Sequence, residues 1–151
     1  MELTSFDKQL LNELQGGIQF VSRPYELMAQ KLGVSEQVVL ERLDQLQQEG
    51  LIRKIGAFFN SDKLGYSGTL IAVKVQQQYI AQVASKINEY PEVTHNYQRS
   101  GDYALWFTLI TNDAKRREHI LTTVRNLPGV SALMDLYSQK KYKIDVRFQL
   151  K

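Results

Sequence analysis

Apolar residues recur every three or four positions through the first fifty residues, whereas short extended runs and helical stretches alternate after residue 68. Phe6, Leu10 and Leu14 show the helical spacing and predict a helix over residues 4–14. The same spacing, ended by Gly33 and by Gly50, predicts two more helices over residues 24–32 and 35–48.

These three helices have the order of a helix-turn-helix domain. A glycine turn separates the second helix from the third, as in that motif. The segment Leu51–Phe59, which reads LIRKIGAFF, predicts a short hairpin or wing. Residues 1–60 are therefore predicted to form a winged helix-turn-helix domain.

The rest of the chain, residues 61–151, predicts a ferredoxin-like domain and makes the protein α+β in class. The polar, glycine-bearing segment Asn60–Gly68 marks the domain boundary. The predicted order is β-α-β-β-α-β, with strands over 69–75, 93–99, 103–110 and 130–138 and helices over 79–90 and 114–126. The alternating tail Lys140–Phe148 predicts an additional edge strand.

The centre of this domain is a predicted hairpin with its tip at residues 100–102. Alternation along its first strand places His95, Tyr97 and Arg99 on one face. Imidazole titrates near neutral pH, a phenol donates a hydrogen bond, and a guanidinium binds a carboxylate with two parallel bonds. This face suits an acidic ligand that undergoes proton chemistry. The other face carries Thr94, Asn96 and Gln98.

The residues alone leave other interpretations open. A strand histidine such as His95 is more often a structural histidine than a catalyst, and Trp106 fits core packing as well as ligand contact. The other histidine, His119, lies in the charged stretch KRREHI, which predicts a solvated helix face.

Composition narrows the function classes. The chain has no cysteine, which excludes disulfides and thiolate chemistry. With two histidines on different elements, a metal site built from protein alone is not expected, although one imidazole could bind an iron carried by a ligand. The sequence lacks a signal peptide pattern and a membrane-length apolar run, so we expect a cytoplasmic protein.

Charge is unevenly distributed. Residues 1–60 hold eight acidic and six basic residues, a net charge of −2, whereas residues 61–151 hold eight acidic and thirteen basic residues, a net charge of +5. An anionic partner is therefore expected in the second part. The third helix, with four acidic residues against Arg42 between Ser35 and Gly50, is poorly suited to DNA phosphates. DNA binding is therefore not expected.

Several strings resemble a known family. A winged helix-turn-helix joined to a β-α-β-β-α-β domain is similar to the Lrp/AsnC regulators, and the strings themselves resemble their catalytic relatives, the siroheme decarboxylases. The most specific is HNYxR followed by WFTL. The strings are Arg23–Pro24–Tyr25, Ile55–Phe59 with Lys63–Tyr66, Val93–Arg99 with Leu105–Thr108, and Tyr142–Lys143–Ile144.

This resemblance implies that the chain removes carbon dioxide from two acetate side chains of siroheme, giving didecarboxysiroheme for haem or haem d1 formation. It implies catalytic roles for His95, Tyr97 and Arg99, with His95 also a candidate ligand to the substrate's iron. No cofactor is implied beyond that iron. The implied substrate-binding residues, which suit a ligand with eight carboxylates, are Asn96, Trp106, Arg116, Arg117, Lys141 and Lys143.

Two positions depart from the family pattern RxHxYNLWF, because Gly101 and Ala104 stand where the family often has His and Asn. A related, unequal partner subunit that supplies the missing groups would explain this. We therefore expect a homodimer or a heterodimer with such a subunit, formed through the C-terminal sheets. Two alternatives stay open, namely a regulator of the Lrp/AsnC type that senses a small anionic or tetrapyrrole effector, and a tetrapyrrole carrier without catalysis.

Overall fold

The computed structural model describes residues 2–143 and 147–151. The chain divides into two compact units, unit 1 with residues 1–57 and 143–151 and unit 2 with residues 58–142. The predicted domains, 1–60 and 61–151, differ from this division mainly at the C-terminus. Ile144, which belongs to one of the family strings, lies outside the described residues. No helix in the described part of the chain is long and apolar enough to span a membrane.

Unit 1 contains the three predicted helices, which are α1 (Ser5–Gln15), α2 (Pro24–Leu32) and α3 (Glu36–Gln48). Pro24 begins α2, where its missing donor is not needed, and Gly33 ends it with a left-handed φ of 68°. Their inward faces meet in one apolar core, to which α1 contributes Leu10, α2 Met28 and α3 Leu43. The helix-turn-helix prediction is confirmed.

A buried ion pair joins α1 to α3. The Asp7 side chain is fully buried and accepts hydrogen bonds from Arg42 Nε at 2.6 Å and Nη2 at 2.9 Å. Asp7 also completes a capping box with Thr4, whose backbone N–H donates to the carboxylate at 2.9 Å. The Arg42 guanidinium, with help from Thr4, holds the pKa of Asp7 well below its usual range, although burial opposes the shift.

The predicted wing is wrong. Residues 51–59 have no regular secondary structure, and the Phe58 and Phe59 side chains are exposed. Only Ile52 of this segment is buried, and its N–H donates to the Leu46 carbonyl at the end of α3. A hairpin needs a facing strand, and within the described chain nothing pairs with this segment as a strand.

Unit 2 has the predicted β-α-β-β-α-β order. Its elements are β1 (Ser67–Val75), α4 (Ile80–Asn88), β2 (Val93–Gln98), β3 (Leu105–Thr111), α5 (Ala114–Arg125) and β4 (Val130–Leu136). The four strands form one antiparallel sheet in the order β2-β3-β1-β4. The ferredoxin-like prediction is confirmed.

Both helices of unit 2 lie on the same face of the sheet. Ile87 of α4 and Leu121 of α5 are fully buried in one core with Ile71, Phe107 and Leu109 of the central strands. We call this the covered face. The opposite side, the open face, carries the alternate strand residues and has no helix of unit 2 on it.

The prediction of an edge strand at Lys140–Phe148 is wrong for the described residues, because residues 140–143 and 147–148 have no regular secondary structure. Instead, side-chain amides of α1 bind the end of the chain. Gln15 exchanges two hydrogen bonds with the backbone of Phe148, at 3.0 and 2.7 Å, and Asn12 donates to the Leu150 carbonyl at 3.0 Å. These amides bind backbone N–H and C=O groups that a strand would use to pair with a neighbouring strand.

Replacing Asp7 by Asn should lower the free energy of unfolding of unit 1 by about 3 kcal/mol at neutral pH, because Arg42 would lose its buried partner. Because folding lowers the pKa of Asp7, this stabilisation is present above the unfolded value of about 4 and is lost as the pH falls below it. Urea unfolding of both proteins, followed by far-ultraviolet circular dichroism between pH 7 and pH 3, measures the difference.

The matched control is Glu13→Gln, also on α1, which breaks the exposed Lys31 pair at 2.9 Å and should cost less than about 1 kcal/mol. Equal effects of the two substitutions, or a difference for Asp7→Asn that grows on acidification, would contradict this assignment.

Candidate active site

A bulge in β2 decides which side chains reach the open face. Val93 pairs with Leu109 and His95 pairs with Thr108, so Thr94 is an extra residue in the ladder. Val93 packs against the core of the covered face, while His95 is exposed. Residues two positions apart on a regular strand share a face. The bulge instead places Val93 on the covered face and His95 on the open face.

The imidazole of His95 and the phenol ring of Tyr97 lie side by side on the open face. Their ring centroids are 6.1 Å apart, and the ring planes differ by 27°. His95 Nδ1 is 3.0 Å from Thr94 Oγ1, within hydrogen-bond distance, so Nε2 is the ring nitrogen that Thr94 does not engage. Strict alternation predicted Thr94 on the other face, and so did not predict this contact.

Arg99 and Trp106 complete the group. The Arg99 N–H donates to the Ala104 carbonyl at 2.9 Å, which continues the ladder past the end of β2. The Arg99 guanidinium carbon lies 5.9 Å from the centre of the Trp106 ring, a cation–π contact. Trp106 is fixed by its own indole N–H, which donates to the Tyr103 carbonyl at 2.7 Å. His95, Tyr97 and Arg99 therefore share one side of the sheet, as predicted from the alternation.

This group sits on a surface rather than in an enclosed cavity. His95 and Arg99 are exposed, and Tyr97 keeps 54% of its surface accessible. Apolar side chains continue the open face from Trp106 towards β4, with Leu70 and Leu136 each about two-fifths exposed. An exposed, partly apolar face bordered by polar side chains is suited to a ligand with an apolar face or to a second subunit.

Asn96 lies on the covered face, away from His95. Its amide nitrogen donates to Asn88 Oδ1 at 2.9 Å and contacts the Ala84 carbonyl at 3.3 Å, so it ties β2 to α4. The structure therefore does not bring Asn96 together with the catalytic candidates of unit 2.

Arg116 and Arg117 of α5 are already bound to carboxylates. Arg116 Nε donates to Glu92 at 2.6 Å, and this contact lowers the pKa of Glu92. Arg117 Nη2 donates to Asp135 at 2.5 Å, and its guanidinium lies 4.6 Å from the Tyr137 ring centre. Both cations act first as internal partners between α5 and the strand ends.

The two remaining predicted cations follow the last strand in sequence. Lys141 pairs with Asp62, and Lys143 belongs to unit 1, where it lines a surface pocket with Asn12 and Gln15. Among the described residues, no group of three or more histidine or acidic side chains is arranged to hold a metal ion.

Comparison with known proteins gives consistent matches along the chain. A family model described as an AsnC-like ligand binding domain matches residues 63–143, and one described as a siroheme decarboxylase NirDL-like helix-turn-helix domain matches residues 7–53. Among solved structures, Escherichia coli AsnC has the same fold, with a TM-score of 0.83, 19% identity and coverage of 97% of this chain and 99% of that one.

The siroheme decarboxylase NirDL, solved in complex with an iron-uroporphyrin III analogue, has a TM-score of 0.70 and 29% identity over 92% of this chain. The match spans 47% of the NirDL chain, less than half of its length.

Sequence relatives extend over almost the whole chain. The siroheme decarboxylase alpha subunit of Desulfovibrio desulfuricans is 40% identical, over 99% of this chain and 86% of its own length. The siroheme decarboxylase NirD and NirG subunits of Pseudomonas aeruginosa are 36% and 30% identical, each over 98% of this chain and over 97% and 100% of their own lengths. The chain therefore belongs to the siroheme decarboxylase family, which is built on the Lrp/AsnC-type fold.

Proposed function

We propose that this chain is a subunit of a siroheme decarboxylase, a carbon–carbon lyase that removes the carboxyl groups of two acetate side chains of siroheme to give didecarboxysiroheme. Relatives of that name at up to 40% identity support the proposal. The observation that carries it is the grouping of His95, Tyr97, Arg99 and Trp106 on one exposed sheet face. Such a face offers a proton donor and a carboxylate-binding cation beside an aromatic surface.

The chemistry requires one proton for each carboxyl group lost. The bond between the methylene carbon and the carboxylate breaks, carbon dioxide leaves, and the electron pair stays on the methylene carbon and delocalises into the macrocycle. Protonation of that carbon then produces a methyl group. We assign this protonation to His95 Nε2, since its Nδ1 is engaged by Thr94. An Nε2 that donates this proton cannot bind iron at the same time.

The neighbouring side chains have positioning roles in this proposal. Arg99 holds a propionate or acetate carboxylate and so selects the arm that reacts, and Tyr97 orients a carboxylate or water beside His95. Trp106 offers its ring to the macrocycle. Contacts of siroheme with Asn96, Arg116, Arg117, Lys141 and Lys143 stay predictions, and for the two arginines they require exchange of an existing carboxylate partner.

We also propose that a homologous but unequal subunit completes the site. Gly101 at the hairpin tip has a φ of +108°, a conformation that strains any residue with a side chain, and Ala104 is buried. Backbone strain at Gly101 and burial at Ala104 therefore disfavour the His and Asn of the family pattern at these positions of this chain. A second copy would have the same two positions, so a different subunit, as the names NirD and NirG suggest for the relatives, is the better fit.

The surface of α3 supports a helix-turn-helix that does not bind DNA. Arg42 of α3 is bound to Asp7 inside unit 1. On the outer side, amide groups that could contact bases donate instead to carboxylates, Gln37 to Glu41 at 2.8 Å and Gln48 to Asp44 at 2.6 Å. This helix presents acidic groups to any phosphate backbone.

Replacing His95 by Ala should lower kcat at least about 100-fold, the usual contribution of a positioned general acid, while siroheme still binds. The measurement is anaerobic incubation of the chain and its partner subunit with siroheme, followed by the product mass, which shows the loss of two carbon dioxide molecules. His119→Ala removes the other histidine from an exposed face of α5 and should leave turnover unchanged. Normal turnover by His95→Ala would remove His95 from the mechanism, and siroheme bound without turnover by the intact proteins would indicate a carrier.

Replacing Thr94 by Val keeps the shape of the side chain but removes the hydroxyl that holds His95 Nδ1. We expect kcat to fall while the affinity for siroheme is unchanged, together with a shift of the His95 imidazole resonances in a histidine-labelled NMR spectrum. The His119 resonances serve as the internal control and should not move. Unchanged His95 resonances would show that the hydroxyl does not position the ring.

The chain should not retard genomic DNA fragments in a gel shift experiment at low salt, because α3 lacks available cations. A complex that is tight, salt-sensitive and selective for sequence would contradict this and favour a transcription regulator.

A further inference from the structure

Lys74 is not among the cations predicted from the sequence to bind substrate, yet the sheet register places it near the group on the open face. Lys74 follows Val73 on β1, and Val73 pairs with Leu105 of β3. On the other side of β3, Arg99 follows Gln98, which pairs with the same Leu105. Lys74 on β1 and Arg99 just past the end of β2 therefore flank the start of β3, roughly 10 Å apart, which is two strand spacings.

Both cations are on the open face. Lys74 is two positions beyond Ala72, which lies opposite Trp106, and alternation gives Lys74 the same side as that ring. Arg99 lies over the Trp106 ring itself. The two cations thus border the same aromatic surface from opposite sides.

In the free chain a carboxylate of the hairpin tip binds Lys74. Asp102 Oδ2 accepts a hydrogen bond from Lys74 Nζ at 3.0 Å, and this contact raises the pKa of Lys74. The pair is exposed, with 45% of the Lys74 side chain and 81% of the Asp102 side chain accessible. An ion pair this exposed to water contributes little to stability, so another carboxylate can replace Asp102 at small cost.

We propose that Lys74 is a further substrate-binding residue, which together with Arg99 holds two carboxylates of siroheme while Asp102 acts as an internal stand-in that the substrate displaces. The inference rests on the proposed function. The inference adds a second carboxylate-binding cation to that function. A ligand with carboxylates around a flat ring can reach two cations that border one aromatic side chain. The inference also places a cationic contact on the sheet itself, in addition to the contacts predicted for α5 and the tail.

The test compares four variants of the full chain, each assembled with its partner subunit. Lys74→Met removes the proposed cation, and Asp102→Asn removes its internal competitor. The matched controls are Lys86→Met and Glu89→Gln, which break an ion pair of the same length, 3.0 Å, with similar exposure on α4. Anaerobic titration with siroheme, followed by its visible absorbance, gives the dissociation constant, and turnover gives kcat and KM.

Lys74→Met should raise the dissociation constant and KM about fivefold to tenfold, with kcat nearly unchanged at saturation and a smaller effect at high salt. Asp102→Asn should lower the dissociation constant about threefold, because a competing charge is lost. Both controls should stay within about twofold of the unmodified protein, since α4 lies on the covered face.

An affinity of Lys74→Met equal to that of Lys86→Met would overturn the role of Lys74 while leaving the decarboxylase proposal intact. Weaker binding by Asp102→Asn would likewise overturn it, because it would show that Asp102 supports the site instead of competing for Lys74. Failure of the unmodified assembly to bind siroheme would overturn both proposals.

Discussion

The structure of unit 2 depends on a sheet whose two helices, α4 and α5, cover the same side, so that the side on which each strand residue emerges decides whether it packs against them. On β2 that choice is controlled by the bulge at Thr94. The extra residue lets Val93 join the core and still directs His95 to the open face. The hydroxyl of Thr94, the extra residue, then contacts the His95 imidazole. One local irregularity therefore both orients the proposed proton donor and holds it in place.

The open face joins two kinds of surface. Along β2 it is polar, with imidazole, phenol and guanidinium in sequence, and from Trp106 towards β4 it is largely apolar. A flat macrocycle with carboxylates at its rim has matching parts, with an apolar face and an anionic edge. The exposure of these side chains within one chain, together with Gly101 and Ala104, supports the proposal that a second, unequal subunit closes the site.

Some of this could be predicted from the sequence, because period-two alternation and helical spacing are local properties. They gave the three helices of unit 1, the order of unit 2 and the shared side of His95, Tyr97 and Arg99. The wing and the terminal strand could not be predicted reliably, because a strand forms only where a distant segment pairs with it. The charge count was correct as a sum, yet it could not show that Arg116 and Arg117 are bound to Glu92 and Asp135. Nor could it show that Lys74 and Arg99 flank the start of β3 from its two sides.

The central claim is that siroheme binds to the open face with a reacting acetate beside His95. A crystal structure of the chain and its proposed partner subunit with siroheme, prepared with the His95→Ala variant to prevent turnover, tests it most directly. The account predicts the macrocycle over Trp106, with the methylene carbon of an acetate within about 4 Å of the position that the His95 imidazole would occupy. Siroheme bound on the covered face, near Asn96 and α4, or bound to unit 1 would contradict it.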